Sequence, residues 1–146
     1  MARSKNSEGK AIEPNQRFDC ARTAQSQVLL EDYTEMIDDL IREHGEARLT
    51  DIAKLMGVAH PTAAKAVARL KREGLATSKP YRGVFLTPSG LEMAERMRVR
   101  HRLVLDVLVA IGVPADAAEL DAEGIEHHVS DKTLAAFEAF LKKSDR

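Results

Sequence analysis

Apolar residues recur at helical spacing along most of this 146-residue chain, in stripes separated by glycine or turn residues. Over residues 27–43 the positions Val28, Leu29, Leu30, Tyr33, Ile37, Leu40 and Ile41 make one such stripe, which His44-Gly45 ends. Thr50-Asp51 starts a short second helix carrying Ile52, Ala53, Leu55 and Met56, and Gly57 stops it. His60-Pro61-Thr62 opens a third, with proline acceptable in the first turn; Ala63, Val67 and Leu70 share one face and Gly74 follows. Residues 75–78 and 84–86 then read as two short strands joined by Lys79-Pro80-Tyr81-Arg82-Gly83. Helices followed by a hairpin in this order predict a winged helix-turn-helix.

Thr87-Pro88-Ser89 starts a longer helix, with Ser89 as the expected cap, and the pattern Leu91, Met93, Ala94, Met97, Leu103, Val104, Val107 and Leu108 carries it to about residue 111. Gly112-Val113-Pro114 breaks it, a shorter helix covers 115–126, and a last one enters at Ser130-Asp131 and runs to 141. The expected fold is mainly α: an N-terminal winged helix-turn-helix with a short β-hairpin wing over 27–88, then a helical domain over 89–146. The second domain has too little sequence to close its own core, so a homodimer is expected. Residues 1–26 are rich in Ser, Asn, Gln, Arg and Lys without a sustained period and predict a flexible arm.

Composition narrows the class. An apolar fraction of 44% permits a core, while 31% charged residues, no Trp and few Gly or Pro suit helices better than a β-sandwich. No apolar run is long enough to span a bilayer and no stretch resembles a signal peptide, so a cytoplasmic protein without a membrane partner is expected. The single Cys20 can form no intramolecular disulfide and lies far from other ligand types.

The net charge of −1 conceals an uneven distribution. Residues 42–82 carry nine Lys or Arg against four acids, residues 103–146 carry four against nine, and residues 31–41 carry five acids and no base. The basic middle is expected to face double-stranded DNA. Thr62 and Lys65, near the start of the third helix, are candidates for base edges; Arg69, Arg72, Lys79 and Arg82 are candidates for phosphates. A solvated basic surface is the plain alternative.

The most specific acidic stretch is Asp121-Ala122-Glu123-Gly124-Ile125-Glu126-His127-His128. Glu123, Glu126 and His127 stand at i, i+3 and i+4 and share a face if the stretch is helical. Carboxylate and imidazole without thiolate suit a cation such as manganese or ferrous iron, although the same residues also describe a solvated acidic turn. Asp32 and Glu35 lie one turn apart on the first helix, where they read as surface charge unless another ligand-bearing face meets them. The pattern is neither H-E-x-x-H nor H-x-x-E-H, and a winged helix has no place in a metallohydrolase, so no enzyme activity and no small organic substrate are expected.

A winged helix, His101 on a long helix and then Glu123-Gly124-Ile125-Glu126-His127-His128 together resemble the diphtheria toxin repressor family of metal-dependent regulators, most of all its manganese branch, over roughly residues 28–142. The resemblance implies two Mn(II) ions per subunit between the first helix and the dimer domain. It assigns Asp32 and His101 to one ion, Glu123 and His127 mainly to the other, and Glu35 and Glu126 as bridges; His128 is not a family ligand. Iron-responsive relatives carry Met and Cys at the positions of Asp32 and Glu126, so the two carboxylates here imply manganese, with Fe(II) the main rival. The implied function is a homodimeric, manganese-responsive repressor of manganese uptake genes acting on operator DNA. A ferrous-iron regulator, or a winged-helix regulator gated by another ligand, are the alternatives. The N-terminal arm and the recognition-helix surface depart from the family and leave the operator sequence open.

Overall fold

A computed structural model describes residues 13–145. Its elements run α1 (Pro14–His44), α2 (Leu49–Met56), α3 (His60–Arg72), β1 (Ala76–Lys79), β2 (Gly83–Leu86), α4 (Pro88–Ala110), α5 (Ala115–Ile125) and α6 (Asp131–Ser144). The order is the expected one, with one correction. Residues 14–26 are not a flexible arm but the first turns of α1, which begins at Pro14 rather than near residue 27. They show no apolar stripe because they are largely exposed, and their Ala, Gln and Arg extend the helix by intrinsic propensity from turns that packing already holds. The part of the expected arm before residue 13 lies outside the described residues.

The first half is closed by one core. Tyr33, Ile37 and Leu40 of α1, Ile52 of α2, Ala63, Val67 and Leu70 of α3, and Ala76 and Val84 of the hairpin are all buried in a single cluster. The strands pair antiparallel from Ala76 with Leu86 to Lys79 with Gly83, and the Val84 N–H donates to the Ala47 carbonyl (2.8 Å), tying the wing to the segment before α2. Gly57, in the left-handed region at φ 67°, makes the tight turn between α2 and α3.

The helix α4 carries the chain out of this half. Thr87 caps it, not Ser89 as expected: the Thr87 hydroxyl accepts from the Gly90 N–H (3.1 Å) and donates to the Gly74 carbonyl (2.6 Å), leaving Pro88 at the first helical position, where its missing N–H costs nothing. Further along, Met97, Val104 and Val107 of α4 are buried, as are Ala118 and Ala122 of α5. Arg98 of α4 reaches back to α1, donating to Asp38 (2.5 Å) and Asp39 (2.6 Å). Asp38 is buried at 3% exposure and also pairs with Arg42 (3.0 Å), so its charge is compensated from both helices. No helix among the described residues is long and apolar enough to cross a membrane.

Gly90 packs tightly against the backbone just before β1. A Cβ there would collide with the Leu75 backbone carbonyl, which cannot retreat without disturbing the start of β1. Gly90→Ala should therefore destabilise the protein by about 1–3 kcal/mol despite alanine's better helix propensity. Urea unfolding followed by circular dichroism tests this, with Ser89→Ala, at an exposed neighbouring position, as the near-neutral control.

Candidate metal centre

Three elements bring the ligand-type side chains together. Helix α1 supplies Asp32 and Glu35, α4 supplies His101, and α5 with the turn after it supplies Glu123, Glu126 and His127. The turn is fixed from α4 by Arg100, whose side chain is only 14% exposed: Nε donates to the Glu126 carbonyl (2.9 Å) and an Nη donates to the Val129 carbonyl. Ser130 then caps α6 by accepting from the Thr133 N–H (3.2 Å). Glu126 keeps helical backbone angles just past the end of α5, which preserves the i, i+3 relation to Glu123.

Glu126 is the centre of the arrangement. It is fully buried, and its Oε2 lies 2.6 Å from His101 Nδ1. Its Oε1 lies 3.5 Å from His127 Nε2 and has no hydrogen-bond partner among the described residues. His127 Nε2 also meets Asp32 Oδ1 at 2.9 Å, and Glu123 Oε1 stands 3.6 Å from His101 Nδ1. Glu35 joins Asp32, Asp39, Glu123, His127 and His128 in lining a cavity of about 570 Å3. Of the six residues expected as metal ligands, Asp32, Glu35, Glu123 and His127 line the cavity, and His101 and Glu126 adjoin it through their contacts with Glu123 and His127.

The electrostatics are those of crowded acids sharing protons. Burial pushes the Glu126 carboxyl up to about 7; His101 opposes the rise, and the charges of Glu123 and Glu35 add to it. Burial, followed by the charges of Glu123 and Asp39, also raises Glu35. His127 is pushed up to about 10 by hydrogen bonds to Asp32 and Glu31, against the opposing effect of burial. Burial would lower His101, but its hydrogen bonds to Glu119 and Glu126 outweigh that and raise it. A buried carboxylate oxygen without a donor, amid oxygen and imidazole donors and no thiolate, is a donor set that fits a divalent cation of the manganese or ferrous type.

Four participants escaped the sequence reading. Glu31 accepts from His127 Nδ1 (2.7 Å), Glu119 sits 2.9 Å from His101 Nε2, Asp39 lines the cavity, and Arg100 holds the turn. Glu119 was within reach, since it precedes Glu123 by one helical turn; His101, Glu119 and Glu123 present ligand atoms within 4.8 Å of one another. Nothing in the local pattern marks Glu31 or Arg100.

The basic candidates form a separate surface. Thr62, Lys65 and Arg72 are exposed on α3, and Arg82 is exposed in the wing loop beside the fully exposed Tyr81. Lys79 lies with its ammonium 5.2 Å from the centre of the Phe85 ring. Arg69 is half-buried and donates to Ser26 Oγ of α1 (2.5 Å), so it is engaged within the protein.

Known proteins give this geometry its context. The iron dependent repressor N-terminal DNA binding domain matches residues 29–84, and the iron dependent repressor metal binding and dimerisation domain matches residues 87–146. The transcriptional regulator MntR of Escherichia coli is 48% identical over 126 residues, covering 86% of this chain and 81% of that protein. The HTH-type transcriptional regulator MntR of Geobacillus kaustophilus is 41% identical over 101 residues, covering 69% of this chain and 72% of that one. Among solved structures, a manganese-dependent transcriptional repressor in complex with manganese superposes with a TM-score of 0.67 at 32% identity, covering 77% of this chain and 52% of that one. The manganese regulator SloR superposes with a TM-score of 0.67 at 29% identity, covering 77% and 53%. The chain spans about half the length of these two solved relatives. With both domain matches in the observed order and close relatives matched over most of their length, the chain belongs to the iron-dependent, or diphtheria toxin, repressor family of transcriptional regulators, in its MntR branch.

Proposed function

We propose that this chain is a manganese-responsive transcriptional repressor, a regulator and not an enzyme, which binds operator DNA as a homodimer and controls manganese uptake genes. The observation that carries this reading is the meeting of Asp32 and Glu35, from the winged-helix half, with His101, Glu123, Glu126 and His127 from the C-terminal half, around an unbonded buried oxygen of Glu126. We assign two cations per subunit: Asp32 and His101 would hold one, Glu123 and His127 mainly the other, with Glu35 and Glu126 shared. Fe(II) is the competing ion. The exposed apolar side chains Val99, Ile111 and Leu120 in the C-terminal half favour burial against a second copy.

Bound divalent cations would neutralise carboxylates that otherwise repel one another across the two halves. The protein's own residues convert this into a DNA signal. Asp32 and Glu35 lie on the same helix as Tyr33 and Ile37, which pack in the winged-helix core, so restraining one face of α1 restrains the module that carries α3 and the wing. In a dimer this would fix the spacing of two recognition helices. Thr62 and Lys65 would then read base edges, and Arg72, Lys79 and Arg82 would contact phosphates. Arg69 would join them by exchanging Ser26 for a phosphate.

Glu126→Gln keeps the side chain's shape but removes the shared charge. Manganese should then no longer strengthen operator binding, a loss of about 5–150-fold in affinity, with the circular dichroism spectrum unchanged. Equal DNA binding with and without manganese in the parent protein would sink the reading. Metal must also displace the protons held by His127 and Glu126, both raised above their ordinary values. Manganese affinity should therefore fall as pH is lowered, about tenfold per pH unit from His127 alone and more steeply below about pH 7, where Glu126 is protonated as well. Calorimetric titrations across this range measure the slope. For the wing, Arg82→Ala should weaken binding to every DNA sequence alike and reduce the salt dependence of binding by about one unit of slope, as read from fluorescence anisotropy at several salt concentrations.

A further inference from the structure

Both imidazoles of the centre have one ring nitrogen turned toward Glu126 and the other toward a carboxylate outside the six-residue set. For His127 the outer partner is Glu31, for His101 it is Glu119. The two outer pairs differ in their surroundings: the Glu31 and His127 side chains are 12% and 4% exposed, whereas Glu119 is 56% exposed.

We propose that Glu31 is a positioning residue, which holds His127 Nδ1–H so that the other ring nitrogen, Nε2, faces Asp32 and Glu126. The inference rests on the metal-binding reading above and extends it to a residue that no ligand assignment includes. The two ring nitrogens point away from each other, so a carboxylate bonded to Nδ1 cannot reach a cation held on Nε2. Glu31 Oε2 is 2.7 Å from Nδ1, while Nε2 is 2.9 Å from Asp32 and 3.5 Å from Glu126 Oε1. A metal-ligating nitrogen must give up its proton, and the opposite N–H, held by a carboxylate, fixes the tautomer and the ring plane. Glu31 and Asp32 are consecutive on α1, so this helix supplies both the group that orients the ring and the acid that the ring faces. Winged-helix half and imidazole are thereby registered before any cation arrives.

The test is a calorimetric titration of the full chain and three variants with Mn(II), together with proton NMR of the metal-free protein. Glu31→Ala should lower manganese affinity about 10–100-fold without reducing the number of ions bound. The same variant should lose the low-field His127 Nδ1–H signal. Glu31→Gln, whose side-chain carbonyl still accepts from Nδ1–H, should stay close to the parent in both readouts. Glu119→Ala should have a smaller effect than Glu31→Ala, because water screens that pair. Parent-like affinity in Glu31→Ala would overturn the proposal. So would the loss of a whole ion in both Glu31 variants, which would make Glu31 a ligand. If the parent itself bound no manganese, the metal reading would fall; a Nδ1–H signal present in the parent and absent in Glu31→Ala would still support the orienting pair.

Discussion

A carboxylate removed from water, with one oxygen bonded and the other left without a donor, is the constraint around which this molecule is arranged. Glu126 is fully buried between His101 and His127, and the acids whose charges act on it are Glu123 of α5 and Glu35 of α1. Such a group is costly to bury unless something positive completes it. In the protein alone the completion comes from protons: Glu126 and both histidines are raised, and the cluster shares the protons that a divalent cation would replace.

The surrounding framework is built so that this cluster cannot relax by moving apart. Arg98 of α4 grips Asp38 and Asp39 of α1, and Arg100 of the same helix grips the backbone on both sides of His127 and His128. Helix α4 therefore acts as a common post, with α1 on one side and the α5–α6 turn on the other. Its own start is locked against the turn that leads into β1 by Thr87, which donates to Gly74, and by the close approach of Gly90 to Leu75. The placement of the ligand-type side chains, helix packing and wing position are consequently parts of one connected structure.

Charge is divided along the same lines. The acidic cavity lies where α1 meets α5, whereas the exposed bases Lys65, Arg72 and Arg82 lie on α3 and the wing, neither of which lines that cavity. This separation keeps the crowded carboxylates of the cavity and the basic surface from cancelling each other's charge.

Much of this was legible from the chain. Apolar stripes at helical spacing placed α1 to α4, because each of these helices buries one face, and turn residues marked the hairpin. The i, i+3, i+4 relation of Glu123, Glu126 and His127 was readable because it is local geometry. Two local readings went astray. Residues 14–26 are helical without an apolar stripe, since propensity and propagation from a packed helix suffice, and Thr87 took the cap because Pro88 fits the first helical position. What no linear pattern contains is the encounter of elements far apart in sequence. Whether Asp32 is ordinary surface charge depends on His127 arriving opposite it, 2.9 Å away; Glu31, Glu119 and Arg100 acquire roles only through partners on other elements. Identity and local spacing of the ligand-type side chains are properties of the chain, but burial, proton sharing and the orientation of the imidazoles arise only when α1, α4 and α5 exclude water from the space between them.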